Sequence, residues 1–141
     1  MDSYLGKWVL VREASDNIVP QLQAAGVPAE SVEQVAKIMQ DNDQIISLAK
    51  DGDGFFYSFE CGPLKQEYTF KLGETFEHLM PHVNKMAKIT FSLVNGLLVD
   101  DIEMEGAGKM TYSRVVDGND MTVTMSAGGQ AETGKRKYRR M

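Results

Sequence analysis

The sequence of 141 residues is poor in cysteine and histidine: Cys61 is alone, and there are two histidines. A lone cysteine cannot form an intramolecular disulfide, which excludes the class of small disulfide-stabilised proteins and indicates a reducing compartment. Long apolar runs are also missing, since nothing approaches the roughly 18 consecutive apolar residues of a membrane-spanning helix. Charged residues interrupt the opening stretch MDSYLGKWVLVREAS, so we expect no signal peptide and a cytoplasmic location.

Basic residues are also fewer than acidic residues. The chain has 15 Lys and Arg residues against 20 Asp and Glu residues, which gives a formal net charge of −5. This balance argues against nucleic acid as a general partner. The exception is the C-terminal stretch GKRKYRRM, where five of eight residues are basic. It is compatible with an exposed basic tail or with a last strand whose alternate side chains point inward.

A helical pattern is present only between residues 17 and 40. Ser31 followed by Gln34 suits a capping box, and a shorter helix fits Ile18 to Ala25. The apolar residues of the second helix recur at i, i+3, i+4 and i+7, at Val32, Val35, Ala36 and Met39. We therefore predict two short helices near the N-terminus of one domain, residues 1–141.

The chain after about Asp43 has the pattern of strands and turns. Segments of about six to ten residues, rich in aromatic and β-branched side chains, alternate with glycine-containing turns. The turn signals are DGDG (51–54), CGP (61–63), LGE (72–74), NG (95–96), EGAG (105–108), DGND (117–120) and AGG (127–129). This regular spacing predicts an all-β antiparallel meander closed as a sandwich or barrel.

Two arginines fall on apolar strand faces. Arg114 alternates in phase with Met110, Tyr112 and Val116, and Arg136 shares a face of the last strand with Tyr138. A guanidinium in an apolar interior is costly unless an anion meets it. Few acidic residues are expected to point inward near these strands. We therefore expect the partner to be a ligand carboxylate, held by charge-assisted hydrogen bonds.

Other chemical motifs are weak. His78 and His82 have i, i+4 spacing but no acidic third ligand, so no metal site is predicted. No Ser or Cys stands in a recognisable setting beside a His, so no catalytic residue is predicted and a small esterase is disfavoured. No cofactor is predicted. A barrel that binds nucleic acid through an exposed KRKYRR strip is opposed by the acidic net charge.

Several segments together resemble the intracellular fatty-acid-binding proteins, a calycin-like family, over nearly the whole chain. Their order and spacing are more specific than any single motif. They are YLGKW (4–8), the helix pair, YTFKLGETF (68–76), NGLLV (95–99), YSRVVDGNDM (112–121) and KRKY (135–138).

The resemblance implies a ten-stranded antiparallel up-and-down β-barrel, flattened like a clam, with an N-terminal helix-turn-helix lid at about residues 17–40. It also implies a non-enzymatic, monomeric, cytoplasmic protein that binds and transports long-chain fatty acids. In this family the residues that match Arg136 and Tyr138 typically touch the carboxylate, and the one that matches Arg114 often acts through water. Retinol carriers tend to have glutamine at these arginines, so an acid is expected. Retinoic acid or another acidic hydrophobic ligand is the alternative.

Strand parity and family position together predict the walls of the cavity. The expected lining residues are Phe55, Tyr57, Phe59, Phe70, Val123 and Met125. Ile18 and Leu22 are expected at the portal. The portal differs from the family pattern at Ile18, at Pro63 and at His82–Asn84. Transient membrane contact is compatible with a carrier, but the first helix lacks the lysines that favour docking on anionic bilayers.

Overall fold

The computed structural model describes residues 1–15, 28–80, 85–106, 108–127 and 132–141. These residues contain one α-helix, α1 (Ala29–Asp41), two short 3₁₀ segments (Asp2–Tyr4 and Arg12–Ala14) and ten strands. The strands are β1 Gly6–Val11, β2 Ile45–Asp51, β3 Gly54–Cys61, β4 Leu64–Phe70, β5 Thr75–Met80, β6 Lys85–Val94, β7 Leu97–Met104, β8 Gly108–Asp117, β9 Asp120–Ala127 and β10 Glu132–Arg140. Among the described helices, none has the length and apolar character needed to cross a bilayer.

The ten strands form one antiparallel sheet that curls into a nearly closed barrel. Their order is β4-β3-β2-β1-β10-β9-β8-β7-β6-β5, so strands adjacent in sequence pair and β1 joins β10. The predicted ten-stranded up-and-down barrel is confirmed. The two edge strands, β4 and β5, are not joined by a ladder within the described residues. Side chains from both edges meet instead, with the rings of Tyr68 and Phe76 5.1 Å apart.

The C-terminal basic stretch is part of the barrel rather than a tail. β10 pairs with β9 on one side and with β1 on the other, where Tyr138 lies opposite Leu10. Tyr138 is buried, whereas Lys135 on the opposite face is exposed. Because successive strand residues point to opposite faces, most of the charge lies outside and Arg136 shares the inner face with Tyr138.

The predicted NG hairpin forms between β6 and β7. Asn95 has φ 53° and Gly96 has φ 82°, the left-handed values that a two-residue hairpin turn of type I′ requires. Val94 and Leu97 pair directly across this turn. The short turn therefore sets the register in which Phe91 lies opposite Asp100.

Helix α1 buries the face that the periodicity predicted. Val32, Val35 and Ala36 are buried, and Met39 packs against the same core. The predicted capping box is wrong: the helix begins at Ala29, two residues before Ser31, and Pro28 occupies the N-cap without a side-chain cap. The first predicted helix, with Ile18 and Leu22, lies outside the described residues.

The two ends of β1 meet different structures. Arg12, just beyond its C-terminal end, donates hydrogen bonds to the carbonyls of Met39, Gln40 and Asn42 and so satisfies the last turn of α1. At the other end lie Tyr4, Trp8 and Arg140, which we call the basal cluster. The indole N–H of Trp8 donates to the Tyr4 carbonyl at 3.0 Å, and the Arg140 guanidinium lies 4.2 Å from the centre of the Trp8 ring. The helix and the basal cluster therefore lie at opposite ends of β1.

Candidate functional site

The barrel encloses a cavity of about 160 Å³. This volume is below the roughly 300–1,000 Å³ of typical small-molecule pockets. Its described lining combines apolar side chains with an unusual number of polar ones. The residues are Met39, Ile46, Tyr57, Phe59, Gln66, Tyr68, Met80, Asp100, Ile102, Met104, Met110, Tyr112, Arg114, Val123, Met125, Arg136 and Tyr138.

Seven of the residues singled out in the sequence lie on this wall, and two do not. Arg114, Arg136 and Tyr138 are joined there by Tyr57, Phe59, Val123 and Met125. Phe55 and Phe70 lie outside the lining: their rings pack against each other at 5.6 Å, and both border a separate surface depression. Phe70 also stacks on Phe91 at 4.0 Å, so it fills the core at that point.

Methionine is the most frequent residue of the described wall. Its five members are Met39, Met80, Met104, Met110 and Met125. Methionine has three rotatable side-chain bonds and a polarizable sulfur, so it fills irregular gaps and rearranges at low cost. The small volume is therefore bounded by side chains that can move aside for a ligand.

Arg114 is paired inside the protein, which corrects the expectation that few acids point inward near it. Arg114 and Asp100 are 4% and 1% exposed, and they form a buried, hydrogen-bonded ion pair. Asp100 lies on the same face of β7 as the buried residues Leu98 and Ile102. The charge of Arg114 is therefore balanced by the protein and does not itself require an anionic ligand.

The pair is enclosed by aromatic rings. The Arg114 guanidinium lies 5.7 Å from the centre of the Phe91 ring and 6.0 Å from that of Tyr112. Burial raises the pKa of Asp100, although Arg114 opposes this shift. Burial lowers the pKa of Arg114, but Asp100 and nearby tyrosines outweigh it and the net shift is upward, so the guanidinium stays charged.

Arg136 forms a second polar centre on the same wall. It donates hydrogen bonds to the side-chain carbonyl of Gln44 and to the hydroxyl of Tyr138. Gln44 is only 2% exposed, and its amide donates to the Met39 carbonyl of α1 at 3.4 Å. Burial raises the pKa of the Tyr138 hydroxyl, so it is protonated at neutral pH. This centre can present N–H and O–H donors to an oxygen anion.

The two arginines lie in one row across the sheet. Arg114 on β8 pairs with Val123 on β9, and Val123 pairs with Arg136 on β10. Two strand spacings separate their backbones by about 10 Å. The structure therefore brings Arg136 and Tyr138 into direct contact and places Arg114 farther along the wall.

Sequence reasoning missed Asp100 and Gln66 as wall residues, and Gln44 as the buried partner of Arg136. Asp100 and Asp101 are consecutive in a strand, so one of them must point inward, and the buried phase of Leu98 and Ile102 identifies Asp100. Gln44 lies just before β2, where strand alternation carries no information. The portal residues Ile18, Leu22 and His82–Asn84 lie outside the described residues, and Pro63 is exposed in the β3–β4 turn.

Fold and site together define a ten-stranded antiparallel barrel with an internal cavity that holds two arginine-centred polar groups. No family model matches the sequence. The resemblance to the intracellular fatty-acid-binding proteins is nevertheless confirmed by similarity in sequence to a curated relative and in fold to solved structures.

The relatives cover most or all of the chain. Fatty acid-binding protein 5 of Pygoscelis papua is 27% identical over 119 residues, 84% of each protein. Fatty-acid-binding protein 1 of Echinococcus granulosus superposes with a TM-score of 0.84 at 19% identity, over 100% of this chain and 99% of that one. The fatty acid binding protein of Schistosoma mansoni, solved with arachidonic acid, gives a TM-score of 0.82 at 24% identity, over 100% and 98%.

Proposed function

We propose that this chain is a non-catalytic, cytoplasmic, monomeric carrier of long-chain fatty acids. The observation that carries the proposal is the hydrogen-bonded pair of Arg136 and Tyr138 on the wall of an internal, largely apolar cavity. The relatives named as fatty-acid-binding proteins support the same ligand class. A fold alone does not fix a function, so the assignment depends on this site.

In the proposed complex Arg136 and Tyr138 donate to the ligand carboxylate. Each charge-assisted hydrogen bond contributes about 1.5–3 kcal/mol. Arg114 is the third member of the predicted carboxylate-binding triad. Because Asp100 balances its charge, its part is to extend the polar wall along the ligand rather than to neutralise the carboxylate.

The alkyl chain supplies most of the binding free energy. Each methylene that leaves water contributes about 0.8 kcal/mol, so a dozen give about 10 kcal/mol before the costs of ordering are subtracted. A long alkyl chain needs a cavity larger than about 160 Å³. The five methionine side chains of the wall can rearrange and so enlarge the cavity. No bond is broken and no cofactor takes part in this mechanism.

The test is the affinity for a fluorescent fatty-acid analogue displaced by oleate. Replacing Arg136 by alanine should weaken binding by about ten- to hundredfold, because a charged donor to the carboxylate is lost. Lys137→Ala is the matched control, since Lys137 is on the outer face and lies 3.8 Å from Asp120. It should change the affinity less than about twofold.

Equal effects of the two substitutions would contradict the proposed head-group site. No binding of oleate by the unmodified protein would contradict the carrier function itself. Retinoic acid carries the same carboxylate, so competition between oleate and retinoate distinguishes a fatty-acid carrier from a retinoid carrier.

A further inference from the structure

A second group of polar side chains lies along the wall of the cavity, next to the Arg136–Tyr138 pair. It consists of Asp100, Arg114, Tyr57, Tyr68 and Tyr112, which we call the interior polar cluster. Asp100 and Tyr112 are directly paired across β7 and β8, and Tyr57 and Tyr68 are paired across β3 and β4. The cluster therefore draws its members from two separate hairpins of the barrel.

Side-chain distances place these groups close together: the Tyr57 and Tyr68 rings are 4.9 Å apart, and the Arg114 guanidinium lies 6.0 Å from the Tyr112 ring. The charges of Asp100 and Arg114 both act on the hydroxyls of Tyr57, Tyr68 and Tyr112. Burial is the larger influence and raises the pKa of Tyr112 to about 12. All three phenols are thus neutral at ordinary pH and keep a proton to donate.

Several donors of the cluster have no hydrogen-bond partner among the described residues. The Nε–H of Arg114 is fully buried, yet it forms no hydrogen bond within the part of the chain that the structure describes. The hydroxyls of Tyr57, Tyr68 and Tyr112 also form none with the described residues, but they are not fully buried as that nitrogen is. A fully buried donor without a partner is costly, so a group such as the Arg114 Nε–H is normally satisfied by a ligand or a water.

The charge of the interior polar cluster restricts which ligand group can accept hydrogen bonds from its donors. The ion pair of Arg114 and Asp100 is neutral as a whole. A ligand carboxylate placed here would be repelled by the negative charge of Asp100. The positive charge of Arg114 could not offset this repulsion, because Asp100 already balances it. A neutral hydroxyl or keto oxygen meets no such repulsion, and it can accept from Arg114 Nε–H or a phenol. A ligand hydroxyl can also donate to the carboxylate of Asp100.

We propose that the interior polar cluster is a second recognition site, which binds a neutral oxygen on the alkyl chain of the ligand. The preferred cargo is then an oxygenated long-chain carboxylate, such as a mid-chain hydroxy fatty acid, rather than an unmodified one. This inference rests on the proposed function, with the carboxylate held by Arg136 and Tyr138. The backbone of Arg114 is about 10 Å from that of Arg136, so we expect the second contact at a different point of the wall from the carboxylate contact.

The experiment compares stearate with a mid-chain hydroxystearate by isothermal titration calorimetry. The unmodified protein should bind the hydroxystearate about tenfold more tightly, because the hydroxyl meets donors that a methylene leaves unsatisfied. Tyr112→Phe and Asp100→Asn should each reduce this preference. The ratio of the two affinities is the readout, since a merely structural change would weaken both ligands together.

Ser113→Ala is the matched control, because it removes a hydroxyl from the opposite face of the same strand. It should leave the preference intact. Equal affinities for the two ligands, or a preference that survives both Tyr112→Phe and Asp100→Asn, would overturn the inference and leave the carrier function standing. Failure of both ligands to bind would instead refute the carrier function.

Discussion

Two buried tyrosines in this barrel, Tyr4 and Tyr57, differ in their hydrogen bonding. The hydroxyl of Tyr4, in the basal cluster, lies 2.6 Å from the carbonyl of Gly96 and 2.8 Å from that of Arg114, and it accepts from the N–H of Leu98 at 3.2 Å. The hydroxyl of Tyr57, on the cavity wall, forms no hydrogen bond with the described residues. Both rings are buried, at 3% and 8% exposure.

This difference in hydrogen bonding indicates that Tyr4 stabilises the fold, whereas Tyr57 is available for ligand recognition. Tyr4 ties the turn between β6 and β7 to β8, so its hydroxyl holds together parts of the chain more than 90 residues away in sequence. Tyr57 belongs to a wall whose polar groups point at the cavity. We infer that the basal cluster stabilises the barrel, whereas the interior polar cluster keeps hydrogen-bonding capacity for a ligand.

The largest expected effect comes from removing the ring at the centre of the basal cluster. Trp8→Ala should lower the free energy of unfolding by about 3–5 kcal/mol, because Trp8 is fully buried and also stacks against Arg140. Chemical denaturation followed by far-UV circular dichroism measures this change. A loss below about 1 kcal/mol would show that the basal cluster is not a main source of stability.

A smaller effect is expected from the hydroxyl of Tyr4 alone. Tyr4→Phe should lower the free energy of unfolding by about 1–3 kcal/mol, because the buried carbonyl of Arg114, the partly buried carbonyl of Gly96 and the buried N–H of Leu98 lose their partner. Denaturation curves of both proteins provide the measurement. Fatty-acid affinity should be unchanged, and a clear loss of affinity at full stability would place Tyr4 in the binding site instead.

The smallest effect on stability is expected from the same substitution on the cavity wall. Tyr57→Phe should change the free energy of unfolding by less than about 0.5 kcal/mol, because no hydrogen bond to a described residue is lost. It is measured in the absence of ligand, next to Tyr4→Phe. Equal losses of stability in Tyr4→Phe and Tyr57→Phe would show that the two hydroxyls do not differ in their contribution to the fold.

Much of the fold follows from local features of the sequence. Turns such as Asn95–Gly96 are short and have specific backbone requirements, so neighbouring strands must pair as hairpins. The start of α1 could not be predicted in the same way. Ser31 has the residue type of an N-cap, but Pro28 fits the turn before the helix and the helix begins at Ala29.

The site was only partly accessible to sequence reasoning. Alternation alone puts Arg114 and Arg136 on inward faces, because side-chain direction is a local property of a strand. That Asp100 pairs with Arg114 depends on the register of β7 against β8, in which Leu98 lies opposite Arg114. Register is set by the turn between the two strands and by packing across the barrel, neither of which alternation reveals.

The seam between β4 and β5 has a consequence for how the barrel changes size. Elsewhere, moving two strands apart breaks a row of backbone hydrogen bonds. At the seam, among the described residues, it separates side-chain contacts. These are the rings of Tyr68 with Phe76 and with His78, at 5.1 and 5.0 Å, each worth about 0.5–1.5 kcal/mol, and the weak hydrogen bond from the Gln66 amide to the Met80 sulfur at 3.1 Å. Tyr68 belongs both to this seam and to the cavity wall. A bulky ligand can therefore widen the barrel between β4 and β5, where no backbone ladder holds the described strands together.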